Sequence, residues 1–265
     1  MIFKQVVKIS VVCCIFGLFN ACGGGSGGNS EGSLAEGITV TLTASPHQSP
    51  DATGKTPSAS AGVKTFYNSE GIKITLNKAY LVIWSVHLTN DCSGLDFARL
   101  WTPLLNVLLP TADAHAQTTP TQLGVPNVLN VLNADEQALY LGDIYPAPAS
   151  YCGITLELMK ADEDTQYLPP TINMINRVLY VEGEYLPRGT TTTVAFTLDL
   201  AKTPRPQNLR FANPLVLSSS QLTAKVATAV YYDRWFDGID FSALETDTQI
   251  DWILNNVTES IKLAE

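Results

Sequence analysis

Apolar and polar residues alternate along most of this chain. From Gly37 to Ala44, Ile38, Val40 and Leu42 interleave with Thr39, Thr41 and Thr43, the period of a strand with one buried face. Ile72, Ile74 and Leu76 repeat the pattern, which runs on past Asn77-Lys78 into the strongest strand signal, Ala79 to Leu88. Further strands are predicted at Ser150–Met159, Val178–Tyr185, Thr191–Leu200, Pro214–Leu217 and Leu222–Tyr232, with short apolar pieces at Val128–Leu132 and Ala138–Leu141. Residues 45–62 and 111–126 have loop composition, and residues 95–109 carry Trp101 and a Leu-rich stretch without a clear period. Near the C-terminus the period changes. Ile250, Leu254, Val257 and Ile261 fall on one face of a helix at about 247–262, and Thr246 with Gln249 has the form of a capping box.

Seven or more short alternating strands separated by turn residues predict an all-β fold. The expected architecture is an immunoglobulin-like antiparallel β-sandwich or Greek-key barrel with a C-terminal amphipathic helix. Such a domain would occupy residues 37–265.

The first residues follow a different logic. Lys4 and Lys8 precede an apolar run from Ile9 to Phe19, roughly half the ~20 residues needed to span a bilayer, which is the form of an export signal. Leu18-Phe19-Asn20-Ala21-Cys22 resembles a bacterial lipobox, departing from it in having Phe19 where leucine is usual. That resemblance implies a signal peptide over residues 1–21 and acyl chains on Cys22. Gly23 after the cysteine resembles outer-membrane sorting. Residues 22–36 begin with Gly-Gly-Gly-Ser-Gly-Gly and have no surface to bury, so they read as a flexible tether. The expected location is the bacterial cell envelope, with the membrane reached through the N-terminal lipid.

Charge narrows the partners. The whole sequence carries a net charge of −9, and removing residues 1–21 takes away two lysines and no acidic group. No basic footprint for nucleic acid exists. Of five cysteines, Cys13 and Cys14 fall in the signal and Cys22 is the acylation site, leaving Cys92 and Cys152. An isolated pair in an oxidising compartment is expected to form a disulfide across a loop of about 60 residues, contributing roughly 4 kcal/mol by chain entropy.

Chemistry-bearing motifs are few. No G-x-S-x-G elbow, H-E-x-x-H helix or paired C-x-x-C occurs. Asp162-Glu163-Asp164 reads as a solvated turn, lacking the alternation of a calcium loop. In the segment Tyr232–Phe241, Asp233, Asp237 and Asp240 are interleaved with Trp235 and other aromatics. It could line a cation or sugar site, or it could plug one end of the sandwich.

The stretches Ala112–Gln117 and Pro120–Pro126, then Leu141-Gly142-Asp143-Ile144 and Tyr151-Cys152, resemble a group of uncharacterised envelope lipoproteins. These are distantly similar to the methanobactin-associated MbnP type of copper-binding periplasmic protein. The resemblance covers about residues 70–160. It implies copper as a cofactor, with His87, His115 and Trp84 as the residues nominated to hold it. Strand geometry opposes that set. On a regular strand Trp84 lies with Val82 and Val86 while His87 lies with Leu81, Ile83 and Ser85, and only a bulge would bring both to one side.

The function expected from the sequence is a lipid-anchored, non-catalytic binding or structural β domain whose ligand, whether protein, glycan or small molecule, is not specified. An MbnP-like copper-binding protein is the alternative. A hydrolase of envelope polymers, using a carboxylate pair that spacing cannot reveal, is the third.

Overall fold

The computed structural model describes residues 37–50, 59–90, 92 and 118–264. The signal, Cys22, the tether, His115 and the Leu-rich stretch 95–109 lie outside the described residues.

The described strands are β1 (Thr39–His47), β2 (Lys64–Tyr67), β3 (Lys73–Ile83), β4 (Ser85–Thr89), β5 (Gln122–Leu123), β6 (Asn127–Asn130) and β7 (Leu139–Ile144). They continue with β8 (Ser150–Glu157), β9 (Leu179–Leu186), β10 (Val194–Leu200), β11 (Gln207–Val216) and β12 (Thr223–Tyr231). Helix α1 (Asp247–Glu259) and β13 (Ile261–Leu263) complete the order. The strands form three sheets: β13-β12-β1-β7, then β10-β9-β3-β2 with β6 also on β3, and β11-β8-β4-β5. Pairing is antiparallel except between β1 and β12, which run parallel from Thr39 opposite Thr223 to His47 opposite Tyr231. Among the described residues no barrel closes, and the architecture fits an all-β sandwich.

All three sheets feed one core. Val40 and Leu42 from β1, Leu81 from β3, Ile154 and Leu156 from β8, Val181 from β9 and Val230 from β12 are all buried in it. A smaller cluster of Val82, Val128, Ala161, Met174 and Tyr180 packs separately. Inward placement of Cys152 beside Ile154, Leu156 and Leu158 agrees with the alternation in the sequence.

The strongest predicted strand is interrupted. The Val82 N–H donates to Val178 O at 2.9 Å, whereas the Trp84 N–H donates to Glu157 O at 2.8 Å, so the chain passes from one sheet to the next at Trp84. Ile83 and Val86 both lie in the main core although they are three residues apart. One step of alternation is lost between them, which corrects the grouping of Val86 with Val82.

The helix is shorter than its periodicity suggests. Thr246 Oγ1 accepts from the Gln249 N–H at 3.4 Å, the first half of the predicted box. The Gln249 side chain does not return the bond; it accepts from the Asp240 N–H at 3.0 Å. Ser260 ends the helix, and Ile261, expected on its apolar face, is instead a strand residue opposite Val230. The side chain is nonetheless buried in the core.

Candidate functional site

The segment 232–241 follows β12 and begins with a 3-10 turn at Tyr232–Arg234. Trp235 and Phe236 are fully buried. Phe236 meets Phe196 edge-on at 5.4 Å and stacks over Phe241 at 5.6 Å, and Phe241 stacks on Tyr185 at 4.3 Å. Trp235 Nε1 donates to Ser260 Oγ at 3.1 Å, which satisfies the indole N–H in the core.

The three carboxylates act as latches. Asp233 Oδ1 accepts from the Ser49 N–H at 3.0 Å and the Ser49 hydroxyl at 3.2 Å. Asp237 Oδ1 accepts from the Ser69 N–H at 2.8 Å. Asp240 Oδ1 accepts from the Ser242 N–H at 2.9 Å and its hydroxyl at 2.7 Å, capping a second 3-10 turn. Burial pushes the Asp233 carboxyl up from the usual range against the opposing bonds from Ser49. The Ser242 bonds hold Asp240 below it. The geometry is that of an end plug fastened to neighbouring loops, with its aromatics turned into the core.

Beside the plug lies a polar cluster that sequence reasoning missed. Lys64 and Asp135 form an ion pair at 3.0 Å with side-chain exposures of 0% and 2%. The ammonium also donates to Ala59 O at 3.3 Å and Ser60 O at 3.1 Å, so its three protons have three acceptors. The other carboxylate oxygen accepts from the Ala59 N–H at 2.9 Å and the Tyr232 hydroxyl at 3.2 Å. Lys64 also lies 5.7 Å from the Tyr232 ring centre. Burial and the neighbouring Asp135 raise the Tyr232 phenol far above its ordinary value. His47 approaches the same end, its Nε2 2.9 Å from Ser45 Oγ and its ring 5.6 Å from that of Tyr231. Burial lowers its pKa, while Glu136 and Asp135 act to raise it. Nothing in the sequence marks Lys64 as a partner of Asp135, 71 positions away.

Cys92 and Cys152 are joined as a disulfide, their Cα atoms 5.3 Å apart across a sequence separation of 60. The bond ties β8 to the segment that follows β4.

Of the residues nominated for copper, His87 is exposed on β4 opposite Gln122 and Thr155, and Trp84 is buried at the break between β3 and β4. The lost step of alternation lies between Ile83 and Val86, with Trp84 buried and His87 exposed on either side of Val86. His115 lies outside the described residues. Among the described residues no three His, Cys, Asp or Glu side chains gather closely enough to hold a metal ion.

No protein-family model matches the chain, and no curated protein does. Among solved structures the chain matches MbnP from Methylosinus trichosporium at 10% identity and a TM-score of 0.35, over 77% of this chain and 80% of that one. A superposition of that quality leaves the function to be argued from this chain's own residues.

Proposed function

We propose that this chain is a non-catalytic binding domain of the bacterial envelope, held at a membrane by acyl chains on Cys22. The observation that supports this most is the Cys92–Cys152 bond, because disulfides persist in oxidising compartments and are rare where glutathione and thioredoxin keep thiols reduced. Export-type residues at the start of the chain and the Gly-rich tether agree with it. The non-catalytic part of the reading is supported by how the buried polar groups are used. Lys64, Asp135 and Tyr232 direct their donors and acceptors at one another and at backbone, Asp233 and Asp237 fasten loops, and Asp240 caps its own turn.

Growth with an alkynyl fatty acid tests the anchor. The wild-type protein should take up the label and sediment with membranes, and Cys22→Ala should lose both properties. An unlabelled wild-type protein would refute the reading.

A copper-binding protein is the second reading, supported by the break in alternation between Ile83 and Val86, beside which Trp84 and His87 lie. Metal analysis of protein matured in the periplasm decides it. Stoichiometric copper lost in both His87→Ala and His115→Ala would establish this reading, and metal-free wild-type protein would eliminate it.

A further inference from the structure

β7 lies at the edge of its sheet and carries an irregularity with a visible consequence. Thr41 faces Asp143 and Leu42 faces Gly142, but Thr43 faces Tyr140, so one extra residue of β7 stands opposite β1. This is a β-bulge, a device that re-aims side chains and increases local twist. On a regular strand Tyr140 and Asp143 would point to opposite faces. Here Leu141 and Ile144 are both buried, whereas Tyr140 and Tyr145 are exposed, so Tyr140, Asp143 and Tyr145 emerge on one outer face. Gly142 makes the bulge feasible. Its φ is +151°, and a Cβ there would stand 2.7 Å from Leu123 Cδ1.

A third tyrosine is delivered to the same place from another part of the chain. Gln166 is bonded on both sides of Asn127: its N–H donates to Pro126 O at 2.9 Å, and its carbonyl accepts from the Val128 N–H at 3.0 Å. Asn127 Nδ2 in turn donates to Leu141 O at 3.3 Å, next to Tyr140. Tyr167, the residue after Gln166, has φ +58°. A left-handed conformation costs a side chain other than glycine about 1 kcal/mol, and an exposed ring gains no core packing to offset it. The Tyr145 and Tyr167 hydroxyls both act electrostatically on the Tyr140 phenol, whose pKa is raised first by its hydrogen bond to Asp143. The Asp143 carboxylate is itself oriented, with Oδ1 accepting from Thr41 Oγ1 at 2.8 Å.

We infer that Tyr140, Tyr145 and Tyr167, grouped around Asp143 on the edge of the β1–β7 sheet, form an open platform for a neutral saccharide. The inference rests on the binding-domain reading above and names the class of ligand. The three rings are 48%, 63% and 52% exposed, too open to enclose a compact cation as an aromatic cage does. They offer flat apolar faces on which the C–H face of a pyranose can lie, with a carboxylate and phenol oxygens between them to take sugar hydroxyls. A carboxylate in the middle of the patch disfavours a protein partner, because charged groups are depleted at the centre of protein interfaces. The net charge of −9 disfavours an anionic polymer.

Calorimetric titration of the full-length protein in detergent tests this. The probes are hexasaccharides of α-1,4-glucan, β-1,4-glucan, β-1,3-glucan, mannan and galactan, with choline and a hexagalacturonate for comparison. At least one neutral hexasaccharide should bind. Tyr140→Ala and Tyr167→Ala should each weaken it about tenfold, the size of one lost aromatic contact, and Asp143→Asn should weaken it by a similar factor. Tyr67→Ala, at a tyrosine 67% exposed on β2, should leave it unchanged. Circular dichroism of each variant should match wild type, since all of these side chains project from the fold. Silence from every neutral probe would overturn the platform, as would binding that survives both Tyr140→Ala and Tyr167→Ala. Choline, the galacturonate or a protein bound by these tyrosines in place of sugar would overturn it too. Fatty-acid labelling of Cys22 does not involve this face, so a failed titration with intact labelling sinks the platform alone.

Discussion

Replacing Asp135 by asparagine removes one charge and almost no volume from the most enclosed polar cluster of the domain. Lys64 would keep its bonds to Ala59 O and Ser60 O but face no anion, with a side chain that is 0% exposed. Breaking a buried pair from one side costs about 3–5 kcal/mol, because the remaining charge stays desolvated. An independent ceiling comes from giving up the proton: an ordinary lysine titrates near 10.4, so neutralising one at pH 7 costs about 4–5 kcal/mol. The two figures agree. For a domain of this size each kcal/mol lowers Tm by about 2–4 °C, so Asp135→Asn should melt roughly 6–20 °C below wild type. Urea denaturation should show the midpoint falling at constant slope. The double variant Lys64→Met/Asp135→Asn, which removes both charges yet keeps an amide oxygen to accept from the Ala59 N–H and the Tyr232 hydroxyl, should recover much of the loss. A single variant within about 1 kcal/mol of wild type, or a double variant as unstable as the single, would refute the assignment of an uncompensated buried charge.

Reducing the Cys92–Cys152 bond should lower stability by about 4 kcal/mol for a loop of 60 residues, read as a Tm shift between oxidised protein and the Cys92→Ser/Cys152→Ser variant. Gly153→Ala should destabilise by about 1–3 kcal/mol in a urea titration, since its Cβ would stand 2.2 Å from Leu209 O on β11. Gly189→Ala, with φ +74° and open space around it, should cost no more than the backbone strain of about 1 kcal/mol. Burial lowers the folded-state pKa of His47 below 6.5, so its contribution is present above that pH and is lost as pH falls toward the folded value. Stability curves from pH 7.5 to 5 should therefore decline, and His47→Gln should flatten the decline.

The strands that were legible in the sequence are those with one face in the core. Val194–Leu200 alternates because only every second residue from Phe196 on is buried, whereas Ser150–Glu157 is buried continuously from Tyr151 to Ile154 and alternates only beyond it; the predicted positions of both agree with the structure to within a few residues. β11 was half invisible: Gln207 to Asn213 is mostly polar, since its outer residues face away from the core and only Leu209 is buried within that run. β2 and β5 are too short to show a period. Parallel pairing of β1 with β12 was not foreseeable, because alternation fixes which face is buried and says nothing about strand direction. The aromatic residues of 232–241 were singled out by composition, and composition could not tell a ligand surface from a plug. The Tyr140–Asp143 grouping was hidden for the opposite reason: spacing assigns the two residues to opposite faces until the bulge at Gly142 is known.

The partnership of β1 with β12 also bears on when the domain can form. Thr39 must wait for Thr223 before the centre of its sheet is complete, and pairings that distant in the chain are slow to find because a long loop must close first. An emerging N-terminal portion would therefore hold only fragments of the final structure, with the apolar edge of β1 unsatisfied until most of the polypeptide is available. If the chain is exported as proposed, such delay would be useful, since premature collapse before translocation would block passage. It also means that truncation ahead of Thr223 should remove the cooperative fold altogether and leave no smaller stable version of it.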